Sequence, residues 1–207
     1  MSLRKAAIAA LTVAVTFGAV TTSATAAEPR TASSAATTSA IFTQAMANQA
    51  DAEFVEMMIP HHFQALVMGD MAPSRASDQR VRNLASRIHV EQDLEIAMMQ
   101  GWQAWRGLPV TDAEQAYHHM MTMHPGHAEE MGMATQEQLD DLEASQGNAF
   151  DVMFLQLMIT HHEGALDMLV DVMINGSDFY LQDMANEMLA TQYMQILQME
   201  AILADIT

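Results

Sequence analysis

The 207-residue chain is long enough for one well-buried domain, or at most two small ones. It carries 26 acidic residues against 8 Lys and Arg residues, and this negative charge argues against nucleic acid as a partner. It has no cysteine, which excludes disulfides, thiolate zinc sites and cysteine nucleophiles.

Residues 1–26 have the pattern of a secretory signal peptide. A basic start precedes an apolar run from Ala6 to Val20, and small residues ending at Ala26 form a cleavage site. The run is too short to span a bilayer, and no later stretch is apolar for long enough to do so. We therefore predict a protein that is secreted, or located in the cell envelope or periplasm, after cleavage near Ala26. Cleavage leaves 6 basic residues, 26 acidic residues and 20 methionines.

The next segment, residues 27–50, is rich in Ala, Ser and Thr and shows no hydrophobic periodicity. Such a composition buries too little apolar surface to fold, so we predict a flexible tether. We expect the folded domain to occupy residues 51–207.

Apolar residues and histidines recur at helical spacing from residue 54 onwards. Alternating steps of four and three place residues on one face of a helix. The residues of this stripe are Phe54, Met58, His61, Ala65 and Met68. A breaker at residues 72–74 (Ala-Pro-Ser) is expected to end this helix, and a second periodic run from Asp78 to about Trp105 completes a helical hairpin over residues 51–106.

The same hairpin recurs one hundred residues later. The sequence MMIPHHFQALVM occupies Met57 to Met68, and LMITHHEGALDM occupies Leu157 to Met168. Asn175 and Gly176 supply the turn of the second copy, which spans residues 150–207. Because neither hairpin can bury its apolar stripe alone, we predict an all-α protein, a ferritin-like four-helix bundle made of two repeated helical hairpins.

The connector between the hairpins, residues 107–149, is too long for a simple turn. Thr135 and Gln138 form a capping-box pattern that predicts a short helix through Leu142, ending near Gly147. In the preceding stretch, from His118 to Met133, nine of sixteen residues are His or Met. Histidine-rich tracts commonly bind metal, so we expect the connector to bind it as well.

The paired histidines and the methionines around them favour a soft metal ion. Imidazole nitrogen and thioether sulfur are neutral donors, which suit Cu(I), or Ag(I) by analogy, better than Mg, Ca or Mn. The candidate ligands in the hairpins are Met58, His61, His62, Met68, Met158, His161, His162 and Met168, with Met99 and Met199 from the partner helices. The candidate ligands in the connector are His118, His119, Met121, Met123, His124 and His127.

Three alternatives stand beside this interpretation. Methionines at helical spacing often fill a core, and Gln92 and Gln192 are placed to hydrogen-bond buried histidines, which would give a metal-free interaction module. A zinc-protease motif is not supported, because Leu166 stands where its second histidine belongs. The Glu-x-x-His motif of di-iron helical bundles is also absent from the sequence. A redox metalloenzyme remains an alternative function. We expect no enzymatic activity and no catalytic residues.

The doubled element Met-Ile-x-His-His, at residues 58–62 and 158–162, resembles the domain of unknown function 305 family, which includes CopM-type exported copper-binding proteins. The resemblance runs from about Asp51 to the C-terminus. It implies a ferritin-like four-helix bundle that binds Cu(I), and often Ag(I), through Met and His and helps cells tolerate copper outside the cytoplasm. The ligands that it implies are Met58, His61, His62, Met68, Met158, His161, His162 and Met168. The expected partners are the metal ion and a copper-transfer protein.

Overall fold

A computed structural model describes residues 47–207, and this part of the chain consists of helices joined by short loops, without strands. The seven helices are α1 (Gln49–Arg75), α2 (Gln79–Arg106), α3 (Ala113–Met123), α4 (Pro125–Glu130), α5 (Gln136–Ala144), α6 (Asn148–Asn175) and α7 (Phe179–Ile206). The predicted all-α class is confirmed for these residues. The predicted signal peptide and most of the predicted tether lie outside the described residues.

Both ends of α1 differ slightly from the predicted boundaries. The helix begins at Gln49, because Asn48 and Asp51 form a reciprocal capping box in which each side chain accepts the other's backbone N–H, at 3.0 and 2.8 Å. The predicted breaker at residues 72–74 is wrong by one turn, since α1 continues through Pro73 to Arg75. A proline removes only one backbone donor, and the N–H of Ala76 still bonds the carbonyl of Ala72 at 3.0 Å.

The long helices pack in pairs. Helix α1 packs along α2, α6 packs along α7, and α1 also packs along α6. The apolar core between them has two parts. One part, the Met68 cluster, joins the C-terminal half of α1 to the N-terminal half of α6 through residues such as Met68 and Phe154. The other, the Met58 cluster, joins the opposite halves through residues such as Met58 and Leu169, so α1 and α6 run antiparallel.

Two buried carboxylates link each hairpin to the loop of the other. Asp151 at the start of α6 is fully buried and accepts hydrogen bonds from the backbone N–H of Ser77 and Asp78, at 3.1 and 2.9 Å. Asp51 repeats this arrangement at the α6–α7 loop, where it accepts from the backbone N–H of Ser177 at 3.1 Å. The hundred-residue repeat is therefore visible in hydrogen bonding as well as in helix placement.

The connector folds over the long helices as three short ones. The predicted helix is confirmed as α5, with the side chains of Thr135 and Gln138 completing the capping box. Helices α3 and α4 are not among the predicted elements, and α3 buries only Tyr117 and Met120. Helix α3 packs against α1. Among residues 47–207, no helix has the length and apolar character needed to cross a membrane.

Candidate metal centre

The two histidine pairs meet at the crossing of α1 and α6, between the Met58 and Met68 clusters. His61, His62, His161 and His162 are all fully buried, with no exposed surface. The rings of His61 and His161 stack, with 3.7 Å between centroids and 28° between planes. The structure thus brings the four predicted imidazoles together in the interior.

His61 and His161 each direct Nε2 at a backbone carbonyl. Nε2 of His61 lies 3.1 Å from the carbonyl oxygen of Met131, and Nε2 of His161 lies 2.9 Å from that of His61. A carbonyl oxygen only accepts hydrogen bonds, so the proton of each ring resides on Nε2. The lone pair of each ring is then on Nδ1.

His62 and His162 direct Nε2 at side chains of α2 and α7, respectively. Nε2 of His62 lies 2.8 Å from the Glu95 carboxylate, and Nε2 of His162 lies 2.7 Å from the amide oxygen of Gln195. The Gln195 amide is oriented by Glu91, whose carboxylate accepts from its NH₂ group at 2.5 Å. These two rings therefore carry their protons on Nε2 as well.

The Nδ1 atoms of all four imidazoles are buried and make no well-aligned hydrogen bond among the described residues, although the backbone carbonyl of Met158 lies close to the ring of His162. The side-chain amides of Gln92 and Gln192 are buried and unpartnered in the same way. The alternative in which these two glutamines bond the histidines is not borne out, since Glu95 and Gln195, one helical turn further on, reach the rings instead. Buried polar atoms without partners are rare, and lone pairs in this state are potential metal ligands.

Burial keeps the imidazoles of His61, His161 and His162 neutral near neutral pH. Desolvation holds the pKa of His61 and His161 well below the usual value, and the neighbouring histidines lower both further. Burial lowers the pKa of His162 to about 4. A neutral imidazole is the form that binds a metal ion, so these rings need lose no proton to act as ligands near neutral pH.

We expect the metal-free protein to lose stability as the pH falls from about 7 towards 4. In this window a histidine of the unfolded chain, with its ordinary pKa near 6.5, becomes protonated. His61, His161 and His162 stay unprotonated in the folded protein, because their pKa values are lowered by burial. The free energy of unfolding should therefore decrease with falling pH, by up to about 1.4 kcal/mol per pH unit for each histidine. Urea unfolding at a series of pH values measures this slope.

The matched variants for this pH series are His162→Gln, which removes a buried group, and His119→Gln, which removes an exposed one. His162→Gln should make the slope shallower between pH 7 and 4, whereas His119→Gln should leave it unchanged. Equal slopes in both variants and the parent would show that His162 binds its proton as readily in the folded protein as in the unfolded chain.

The predicted sulfur ligands of the hairpins lie on either side of the imidazoles. Met58 and Met99 belong to the Met58 cluster, and Met68, Met158 and Met199 belong to the Met68 cluster. All five are fully buried. Met168 differs from its repeat partner Met68, because it is partly exposed and lines a surface cavity.

The predicted connector ligands do not form one cluster. The rings of His119 and His124 lie 5.6 Å apart, while His118 lies 3.8 Å from Glu114 and lines a different cavity together with Met121. Met123 is exposed at the end of α3, and His127 lies on α4. These side chains therefore lie at more than one place on the connector, and their role as ligands stays a prediction.

Carboxylates and imidazoles alone do not form a metal site in this domain. Within residues 47–207, no three His, Asp or Glu side chains are grouped so as to hold a metal ion.

One group of His and Met side chains was missed by sequence reasoning. Met57 and Met131 line a cavity of about 250 Å³ together with Met168 and His127. Met57 is one of the positions where the repeat fails, because Leu157 is its counterpart. The methionine at position 57 was therefore a signal for this site that the sequence offered. The contribution of Met131 was not predictable, because it depends on how the connector folds.

The described residues thus form an all-helical domain of two repeated helix pairs around a layer of buried histidines, and a family model matches residues 51–203. The chain belongs to that family, the domain of unknown function family DUF305. The resemblance drawn from the Met-Ile-x-His-His elements is confirmed. A comparison with curated proteins gave no match.

Several solved structures are similar to this chain. A DUF305 fragment from Deinococcus radiodurans is 28% identical with a TM-score of 0.68, covering 77% of this chain and 98% of its own. A DUF305 protein from Streptomyces coelicolor is 31% identical with a TM-score of 0.65, covering 76% and 93%. CopM in its Cu(II)-bound form is 32% identical with a TM-score of 0.63, covering 76% and 97%, and CopM is also known in Cu(I)-bound and Ag-bound forms.

Proposed function

We propose that this protein is an exported, non-catalytic carrier of Cu(I), or Ag(I), that uses His and Met ligands and contributes to copper tolerance or trafficking. The observation that carries the proposal is the set of four buried imidazoles whose Nδ1 lone pairs make no well-aligned hydrogen bond within residues 47–207. Each ring has its proton held on Nε2 by an acceptor, which is how proteins orient metal-binding histidines.

The donor set suits a soft, singly charged ion. His61, His62, His161 and His162 would supply neutral nitrogen, and Met58, Met99, Met68, Met158 and Met199 supply sulfur on either side. A hard cation would need converging carboxylates, and among the described residues the four rings hydrogen-bond only one carboxylate, that of Glu95. The similar protein CopM has been solved with Cu(I), Cu(II) and Ag bound, and these structures support the proposal that this chain binds copper or silver.

The proposed architecture is a ferritin-like four-helix bundle of hairpins 51–106 and 150–207, joined by the His/Met-rich connector 107–149. Its support is the pairing of α1 with α2 and of α6 with α7, together with the antiparallel contact of α1 and α6. Export is supported by the signal-peptide pattern of residues 1–26, which would deliver the carrier outside the cytoplasm. A copper-transfer protein would be its partner there.

A metal-free interaction module is the competing function. The observation in its favour is that each of the four Nε2 atoms already has a hydrogen-bond partner within the protein, as in a self-contained polar core. The two functions differ in their response to metal, because a ligand that binds only the folded state raises its stability.

We expect Ag(I) to raise the midpoint of thermal unfolding of the purified full chain by about 5–10 °C. A ligand present at one hundred times its Kd adds about 2.7 kcal/mol, and each kcal/mol moves the midpoint of a domain of this size by about 2–4 °C. The quadruple variant His61→Gln, His62→Gln, His161→Gln and His162→Gln should lose most of this increase. Glutamine can still donate a hydrogen bond near the Nε2 position but has no counterpart of the Nδ1 lone pair.

Cu(I) retention against a competing chelator is the second measurement on the same proteins. The parent should retain Cu(I), and the quadruple glutamine variant should retain less. A parent chain that keeps no metal and shows no thermal shift would favour the metal-free module. Unchanged retention in a folded quadruple variant would exclude the buried histidines as ligands.

A further inference from the structure

We propose a second metal site, which rests on the proposed function, in the cavity lined by Met57, Met131, Met168 and His127. The cavity, of about 250 Å³, lies where the connector meets α1 and α6. We name it the outer cavity. It captures Cu(I) or Ag(I) at the surface, separately from the buried imidazoles.

The donors of the outer cavity come from separate parts of the chain. Met57 lies on α1, Met168 on α6, and His127 and Met131 in and just after α4. Three thioethers and one imidazole are neutral, soft donors of the kind that favours Cu(I) and Ag(I) over hard cations. Nδ1 of His127 lies 3.5 Å from the carboxylate of Glu130, which leaves Nε2 for an ion.

Charge at the entrance of the outer cavity also favours a cation. Glu53, Asp167 and Asp171 contribute to its lining and are exposed to solvent. Exposed carboxylates raise the local concentration of cations without requiring direct coordination. The carboxylates therefore attract ions of any kind, and the sulfurs select the soft ones.

The fold fixes Met131 in this position through contacts on both sides of the connector. The Gln64 side chain accepts from the backbone N–H of Ala134 at 2.6 Å and donates to its carbonyl at 2.8 Å. Gly164 allows the backbone at Met131 to pass directly over α6, because a Cβ there would overlap the Met131 carbonyl. Gln64 and Gly164 occupy equivalent positions in the two copies of the repeat. The two copies therefore have different residues at the position where the connector packs.

Met131 also connects the outer cavity to the buried histidines. Its side chain lines the cavity, and its carbonyl oxygen accepts from Nε2 of His61 at 3.1 Å. A single residue, Met131, therefore lines the outer cavity and hydrogen-bonds a buried imidazole. This arrangement suits a surface site that loads before the buried one.

The test uses the full chain labelled with ¹³C in the methionine methyl groups and titrated with Ag(I), which needs no reductant. The methyl signals of Met57, Met131 and Met168 should shift together, and those of Met98 and Met194, which are 40% and 62% exposed, should not. The double variant Met57→Leu and Met168→Leu should lose one bound equivalent of Ag(I). The matched double variant Met98→Leu and Met194→Leu should keep every equivalent.

Two results would overturn the outer site. Either unchanged signals of Met57, Met131 and Met168 on saturation with Ag(I), or a full complement of bound Ag(I) in Met57→Leu and Met168→Leu, would contradict it. If the parent still gains thermal stability that depends on the buried histidines, only the outer site fails. If the parent binds no Ag(I) at all, the proposed function fails with it.

Discussion

Replacing Gly164 with alanine is expected to destabilise the protein by roughly 2 kcal/mol, although alanine is the better helix former. In an unconstrained helix the change would stabilise by about 1 kcal/mol. At Gly164, however, the new Cβ would overlap the backbone carbonyl of Met131, and a backbone atom cannot move aside as a flexible side chain can. Overpacking of this kind costs about 1–3 kcal/mol or more and exceeds the helical gain.

The matched control is Gly101→Ala, which also lies within a long helix. A Cβ at Gly101 meets nothing within 4 Å, so this variant should be more stable than the parent by up to about 1 kcal/mol. Urea unfolding gives both values, and hydrogen exchange should show lost protection at Ala134, whose N–H bonds Gln64. Equal stabilisation by the two alanines would mean that the connector does not rest on α6 as described.

Replacing Asp151 with alanine is expected to cost about 3 kcal/mol of stability. The fully buried carboxylate accepts from the backbone N–H groups of Ser77 and Asp78, which would lose their partner. Hydrogen bonds to a charged group contribute about 1.5–3 kcal/mol, and buried donors left without an acceptor carry a further penalty. The carboxylate also lies in the first turn of α6, where negative charge is favourable.

Two further variants separate this effect from the loss of a negative charge. Asp51→Ala, the repeat counterpart, should cost a similar amount, because it leaves the backbone of the α6–α7 loop without an acceptor. Asp93→Ala removes an exposed carboxylate from α2 and should change stability by no more than about 0.5 kcal/mol. Similar midpoints of urea unfolding for Asp93→Ala and Asp151→Ala would contradict the linking role of Asp151.

Features that depend on periodicity were predictable from the sequence. The helical spacing around His61 and the hundred-residue repeat to His161 predicted helices whose inner faces carry the imidazoles, and the structure places both rings in the interior. The capping-box pattern at Thr135 likewise predicted α5. These signals depend on residues that are close together in the sequence, so they can be interpreted without the tertiary structure.

Features that depend on tertiary contacts were not predictable. Both Gln92 and Glu95 lie on the inner side of α2, and only the packing of α2 against α1 decides that Glu95 reaches His62. The outer cavity depends on a connector whose path is set by one glutamine and one glycine at equivalent positions, Gln64 and Gly164. A pattern of residue types does not show which of two repeat copies a connector will contact.

The ¹⁵N spectrum of the histidine side chains, before and after addition of Ag(I), tests the central claim most directly. Without metal, the signals of His61, His62, His161 and His162 should show the proton on Nε2 and an unprotonated Nδ1. On saturation with Ag(I), the Nδ1 signals of these buried rings should shift while Nε2 keeps its proton. Protons on Nδ1 in the metal-free protein, or Nδ1 signals that ignore Ag(I) at saturation, would contradict the account.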